Sequence, residues 1–319
     1  MSSKKVFVLD PYHKDAIALL QSTPGIQVVL PDNPHKSEWH DQADGIILRS
    51  ETRLTKADFQ AASRLQVVVK QGVGVDNIDL EAAKAASVAV YNTPGLNSES
   101  VAELSLALVL SLTRRVTEID RRIRQGQRVI RSQTLGLSLF QKTVGVVGMG
   151  NIGTVAAKKW IGACESSIIC YDPYALKDAW QGIPHRRVHA LEELLRESDV
   201  VTLHVPLLPT TRHMIGEREI GLLKESAILV NTARGGLVDE NALLFALQKK
   251  RIWGAVLDAT ESEPPTTDTY GEFLKLDNVI LTPHVGSSTR ENQSNSGKTV
   301  VRSLLAALAG EKDVPGKLV

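Results

Sequence analysis

The sequence predicts an α/β protein of two doubly wound parallel sheets, with one domain inserted into the other. Three observations lead there. Short apolar runs of three to five residues recur between helical segments along most of the chain, the pattern of strands covered on both faces. A second series of such runs starts afresh at Val144, after a long helical interval. The residues beyond about 288 form one helix with too little after it for another domain, so that helix is expected to return to the first series. The expected boundaries are residues 1–98 completed by 288–319, with 99–287 between them.

In order, Val6-Phe7-Val8-Leu9 reads as the first strand, followed by a helix to about Leu20. Gln27 to Leu30 and Gly45 to Leu48 are the next strands. Thr55, with Asp58 three residues on, caps a helix. Leu65 to Val69 is a strand, Asp79 caps another helix, and Val88 to Tyr91 ends the series. Ser100 with Glu103 opens a helix through about Thr113. Its Val101, Leu104, Leu106, Leu108, Val109, Leu110 and Leu112 make it apolar nearly all round, which predicts burial between domains or in a dimer interface. We expect a homodimer that uses it. The second series continues through strands near 200–203, 227–231, 253–257 and 279–282. Pro264 to Thr269 reads as a loop, and Thr289 to Ala309 as the last helix.

Composition narrows the class. The chain has 319 residues, 43% hydrophobic and 23% charged, as in ordinary globular proteins. A formal net charge of +1 gives no reason to expect nucleic acid or an anionic membrane surface as a partner. Cys164 and Cys170 have neither disulfide-framework nor metal-ligand spacing, so they read as small buried hydrophobes and no metal is expected. Met1-Ser2-Ser3-Lys4-Lys5 runs directly into a short strand without the apolar stretch of a signal peptide. No apolar run approaches membrane-spanning length. A cytoplasmic protein is the expectation.

The most informative segment is Val144-Gly145-Val146-Val147-Gly148-Met149-Gly150-Asn151-Ile152-Gly153, an apolar strand entering Gly-x-Gly-x-x-Gly. Gly148 permits the tight turn, Gly150 lets the backbone approach a pyrophosphate, and Gly153 allows close packing of helix on strand. The helix begun by Asn151 and Ile152 offers unpaired N–H groups and partial positive charge to phosphates. Asp172, nineteen residues past the last glycine at the end of the next strand, is placed to accept from ribose hydroxyls. Its charge would repel a 2′-phosphate, and Pro173 and Tyr174 follow it rather than an arginine. The expected cofactor is NAD.

Sheets of this kind bind ligands beyond the carboxyl ends of their strands. Reading only those ends gives Thr232-Ala233-Arg234-Gly235-Gly236, then Asp258 with Glu263, then His284-Val285-Gly286. Three successive strands thus bring an arginine, a carboxylate and a histidine to one edge. Hydride transfer at C2 of a 2-hydroxy or 2-oxo acid needs those types. Arginine's planar fork holds the carboxylate and polarises the C2 oxygen. Histidine moves a proton near neutral pH, and a neighbouring carboxylate holds the imidazolium. His204, without such company, reads as structural.

With these pieces in place, the chain resembles the D-isomer-specific 2-hydroxyacid dehydrogenases over nearly its full length. The resemblance rests on Gln71-Gly72-Val73-Gly74-Val75-Asp76-Asn77-Ile78-Asp79, Gly148 to Gly153, Asn231 to Gly236, Leu257-Asp258 to Glu263-Pro264, and Thr282 to Gly286. It implies a Rossmann NAD domain inserted into a flavodoxin-like substrate domain. It also implies Arg234 as substrate ligand, His284 as acid–base and Glu263 as its partner. Thr232, Ala233, Asp258 and Gly286 fall to the cofactor, Asp258 receiving the nicotinamide carboxamide. Backbone N–H groups around Gly72, Val73 and Gly74 would hold the substrate carboxylate. Within the family the likeness is greatest to enzymes acting on 3-phosphoglycerate, where Arg49, Lys70 and Arg131 fall among the cations gathered for the phosphate. Two departures stand: Lys70 replaces a usual arginine, and Asp258-Ala259-Thr260 replaces the common Asp-Val-Phe. Glyoxylate or hydroxypyruvate reduction is the alternative. From another class, an NAD(H)-sensing, corepressor-like binding protein remains open.

Overall fold

The computed structural model describes residues 3–319; Met1 and Ser2, with which the reading of the N-terminus begins, lie outside it. The chain divides into two compact units, residues 1–97 with 288–319 and residues 98–287. Each unit is built on one parallel sheet.

In the first unit, β1 (Lys4–Val8), β2 (Ile26–Val29), β3 (Gly45–Leu48), β4 (Val67–Lys70) and β5 (Ala89–Tyr91) pair in the order β2-β1-β3-β4-β5. That is the flavodoxin-like order. The strands are short and Val- or Ile-rich because both faces are covered: β3 and β4 are buried throughout. One face carries Phe7, Leu9, Ile46, Leu48, Val68 and Phe59. The other carries Val6, Val8, Ile47 and Val69 with Val300, Val301 and Leu304 of the helix Arg290–Leu308. Thr289 caps that helix through the Asn292 N–H. Thr55 and Asp58 form the capping box expected for the helix Lys56–Ala61, and Asp79 accepts from the Ala82 N–H at the start of Leu80–Ala85.

In the second unit, the strands are β6 (Thr143–Val147), β7 (Ser167–Tyr171), β8 (Arg186–Arg187), β9 (Val200–Leu203), β10 (Ile228–Asn231), β11 (Gly254–Leu257) and β12 (Val279–Leu281). They run β12-β11-β10-β9-β6-β7-β8, the Rossmann order extended by a further strand. The order reverses between β6 and β9, and the Gly148–Gly153 turn follows β6 at that point. The helix Ser98–Thr113 begins two residues before the expected Ser100. It packs on the helix Asn151–Cys164 and on β10 to β12. Val101, Ala102, Val109 and Leu112 are buried, while Leu104, Leu106, Leu108 and Leu110 stay half-buried, so within one chain a single face is fully covered. The loop expected over Pro264–Thr269 is shorter: Thr266 accepts from the Thr269 N–H and caps a helix, Thr267–Leu274. Both cysteines are buried, and burial pushes the Cys170 thiol up to about 11. No helix among the described residues is long and apolar enough to cross a membrane.

Candidate active site

The glycine turn after β6 has three glycines doing three different jobs. A Cβ on Gly148 would lie 2.5 Å from the His204 carbonyl oxygen, and its φ of +99° is in the region glycine favours. A Cβ on Gly153 would lie 2.1 Å from the Gly148 oxygen, so helix and strand touch there. Around Gly150, by contrast, nothing lies within 4 Å, leaving open room at the start of Asn151–Cys164. No side chain among the described residues caps that helix, so its first-turn N–H groups face the same space. Asn151 is exposed and Ile152 half-buried.

Asp172 closes the far side. Its carboxylate accepts from the Met149 N–H (2.9 Å), the Tyr174 N–H (2.9 Å) and the Ala175 N–H (3.1 Å). With about four acceptor positions on a carboxylate, capacity remains for a ribose hydroxyl. One arginine was missed because it comes from β8 rather than from the segment after Asp172. Arg187 donates to the carbonyls of Asp172, Ala175 and Leu176 and braces this turn. Thr232, at the end of β10, is buried, and its hydroxyl has no partner among the described residues. An open glycine cradle, an uncapped helix end, an acid with spare acceptor capacity and a buried orphan hydroxyl fit a dinucleotide.

The next three strand ends converge. Glu263 presents both carboxylate oxygens to His284 Nδ1, each at 3.0 Å. Burial pushes the Glu263 carboxyl up, but the hydrogen bonds and charge of His284 outweigh it, helped by the Thr260 N–H and the Arg234 charge. The net position is below the usual carboxylate range. The Arg234 turn is locked to the Glu263 loop: a Cβ on Gly235 would lie 2.0 Å from the Thr260 oxygen. Asn231, buried at the end of β10, donates to the carbonyls of Arg234 (2.7 Å) and Ala259 (3.3 Å) and accepts from the Ala233 N–H (3.1 Å). Arg234 Nη1 donates to the Ala233 carbonyl at 2.8 Å.

Asp258 and Gly286, expected at the cofactor, are bonded to each other. Asp258 is fully buried; its carboxylate accepts from the Thr282 hydroxyl (2.6 Å), the Val285 N–H (2.8 Å) and the Gly286 N–H (2.8 Å). Its carbonyl accepts from the His284 N–H at 2.8 Å. The observed partners of both residues thus lie in the His284 turn, where Asp258 acts as a clamp; a sequence shows the acid but not which amides reach it. His284 itself has a φ of 55°. His204 is structural in its bonding: Nε2 meets the Thr202 hydroxyl at 3.0 Å, and burial pushes the ring down to about 4. Among the described residues, no group of three or more His, Cys, Asp or Glu could hold a metal ion.

The substrate residues expected in the first unit have partners of their own. Gly72 donates to the Thr93 hydroxyl (2.8 Å), and the Val73 carbonyl accepts from Asn92 Nδ2 (2.7 Å). The Val73 and Gly74 N–H groups have no partner among the described residues, so the loop presents donors. Lys70, expected among the phosphate cations, is buried, only 4% exposed, and its ammonium donates to the Gly74 carbonyl beneath the loop. Arg49 is half-buried, with Nη1 on the Pro11 carbonyl at 3.3 Å. Arg131 lies exposed in the second unit.

Residues 106–286 match the profile of the D-isomer specific 2-hydroxyacid dehydrogenase NAD binding domain. The chain is 41% identical over 308 residues to a D-3-phosphoglycerate dehydrogenase of Methanocaldococcus jannaschii, covering 96% of this chain and 58% of that protein. It is 36% identical over 311 residues to a hydroxypyruvate reductase of Thermotoga maritima, covering 97% and 99%. The chain therefore spans somewhat over half the length of the phosphoglycerate dehydrogenases it matches. Among solved structures, the TT0316 protein of Thermus thermophilus superposes with a TM-score of 0.89 at 35% identity, covering 99% of this chain and 100% of that one. A D-lactate dehydrogenase of Aquifex aeolicus complexed with NAD and lactic acid gives 0.83 at 30%, covering 97% and 96%.

Proposed function

The chain belongs to the D-isomer specific 2-hydroxyacid dehydrogenase family, and on that premise we propose that it transfers a hydride between a nicotinamide and C2 of a D-2-hydroxy or 2-oxo acid. NADH, when bound, supplies the hydride. The observation that carries the reading is the imidazole of His284 seated on both oxygens of Glu263. With Nδ1–H donated to that carboxylate, Nε2 is the nitrogen left to give or take the proton at the substrate oxygen. Arg234 binds the substrate carboxylate and polarises the C2 oxygen. The free N–H groups of Val73 and Gly74 support a second hold on the carboxylate. The cofactor contacts we assign are Gly148 to Gly153, Asp172, Thr232 and Ala233, with Asp258 and Gly286 acting through the His284 turn.

The substrate we assign is 3-phosphoglycerate, and Arg49, Lys70 and Arg131 are the candidate cations for its phosphate. One observation favours unphosphorylated glyoxylate or hydroxypyruvate instead: the Lys70 ammonium already donates to the Gly74 carbonyl within its own loop. Steady-state NADH oxidation with 3-phosphohydroxypyruvate, hydroxypyruvate and glyoxylate side by side decides between them. His284→Ala is expected to lower the rate by about 10²- to 10⁴-fold. Preference for the unphosphorylated acids would remove Arg49, Lys70 and Arg131 from phosphate binding, and equal rates in wild type and His284→Ala would end the acid–base assignment. We also assign a homodimer through the dinucleotide-binding unit. Exposed Val116, Ile123, Leu135 and Phe140 support it, and light scattering tests it.

A further inference from the structure

Beneath the loop that carries Glu263 lies a pair of groups to which no role has yet been given. Glu240 is the first residue of the helix Glu240–Gln248 and is half-buried. One of its carboxylate oxygens accepts from the Glu261 N–H at 2.8 Å, and the other accepts from the Tyr270 hydroxyl at 2.6 Å. The Tyr270 oxygen in turn accepts from the Ser262 N–H at 3.0 Å. The two consecutive main-chain amides just before Glu263 are therefore taken by one carboxylate and one phenol. Tyr270 is only 4% exposed, stacks its ring at a tilt against Phe273, and has non-helical φ and ψ of −122° and 19° inside its helix. The helix bends at the residue whose hydroxyl serves the loop. Thr260 completes the frame, its N–H reaching Glu263 Oε1 at 3.3 Å and its hydroxyl the Ser262 carbonyl at 3.0 Å.

We propose that Glu240 and Tyr270 are positioning residues, which set the Glu263 carboxylate squarely on His284 Nδ1 by fixing the backbone at Glu261 and Ser262. The physical need is plain. Residues 261 to 263 are exposed, so water could satisfy their amides in many conformations. A symmetric hold at 3.0 Å on both oxygens requires one of those conformations. Burial pushes the Glu240 carboxyl up, and the nearby Glu261 and Glu263 charges add to this. A hydrophobic residue would avoid that cost, but it could not accept from an amide and a phenol at once. The charged and titratable groups around the loop are Glu261, paired with His213 at 2.8 Å, Glu263 with His284, Arg234 from the turn after β10, and Tyr270 from the helix that follows.

The inference rests on the acid–base reading of His284, so one readout is chosen that needs no turnover. Tyr270→Phe keeps the ring in its core contacts and removes only the hydroxyl; Glu240→Gln keeps the shape and removes the charge. In proton NMR of histidine-labelled protein, the Nδ1–H of His284 bonded to a carboxylate stands far downfield. It is expected to move upfield or broaden in both variants. In kinetics, kcat for 2-oxo acid reduction falls about tenfold, within what a misplaced group can cost. The KM for NADH stays unchanged, and the basic limb of the pH profile moves to lower pH. An unmoved resonance and an unmoved limb, with only a lowered melting temperature, would overturn the proposal and leave the pair purely structural. A moved resonance in the variants of a protein that reduces no 2-oxo acid would uphold the positioning and overturn the function.

Discussion

Two glycine-rich turns stand at the carboxyl ends of parallel strands, Gly148–Gly153 after β6 and Gly72–Gly74 after β4, and they acquire positive potential in different ways. The first opens directly into a helix, Asn151–Cys164, so its charge comes from aligned peptide units and unpaired N–H groups. The second opens into no helix; the next, Leu80–Ala85, starts six residues later. In its place an ammonium is buried: Lys70 donates to Gly74, and a Cβ on Gly72 would lie 3.6 Å from its Nζ. A macrodipole cannot be removed by changing one side chain, whereas an ammonium can. If both turns hold anions, as we propose, the second should be the more sensitive to a change of side chain and the first to a change in packing.

The comparison can be tested from its strongest consequence down. Gly153→Ala puts a methyl against a backbone oxygen that cannot yield. Such overpacking costs about 1–3 kcal/mol of stability. We expect NADH binding, followed by fluorescence titration, to fall by about 100-fold (about 2.8 kcal/mol). A dissociation constant within threefold of wild type would break the packing half of the contrast. Lys70→Met removes a charged hydrogen bond worth about 1.5–3 kcal/mol. The KM for the 2-oxo acid should rise about tenfold to a hundredfold, with NADH affinity unchanged; a matching loss of NADH affinity would show that the ammonium does not act on its own turn alone. Asp172→Asn removes the charge that repels a 2′-phosphate, and Arg187 stands beside it. The NADH-to-NADPH ratio of kcat/KM should drop about tenfold (about 1.4 kcal/mol).

Acid separates both turns from the edge that carries Glu263 and His284. The Glu263 carboxyl is held below its ordinary range, so its contribution to stability is present above the unfolded value and is lost as pH falls through the lowered one. Being exposed to solvent, it should add only a shallow slope to acid unfolding, absent in Glu263→Gln. The smallest effect expected is from Arg131→Ala, severalfold in KM for 3-phosphohydroxypyruvate and none for glyoxylate. Equal changes for both acids would remove Arg131 from phosphate binding.

Much of this was legible in the sequence because strand and turn chemistry are local. β10 reads Ile-Leu-Val-Asn and is buried at every position, and the three glycines after β6 announce their separate jobs by spacing alone. The histidine–glutamate pair could be named because both follow strand ends and stand in stretches that match the family's motifs. What stayed hidden depends on which distant amide a side chain meets. Nothing in the sequence shows that Lys70 turns back under its own loop, or that Asp258 collects the amides of Val285 and Gly286. Arg187 comes from a two-residue strand too short to read, and Glu240 looks like an ordinary first-turn acid. Tyr270 gives no signal at all, since its hydroxyl matters only through a loop eight residues earlier.

The left-handed backbone at His284 carries a consequence for descent. A residue with a β-carbon pays roughly 1 kcal/mol or more to stand there, whereas glycine does so freely and asparagine with little strain. A lineage that kept the dinucleotide pocket but ceased to move protons would be under no pressure to retain an imidazole at this position, and drift toward glycine or asparagine would make it more stable. A histidine clamped in that conformation by Asp258 is what a chain still performing proton transfer is expected to carry. Position 284 is accordingly where a working dehydrogenase and a retired, nucleotide-sensing descendant should first part company.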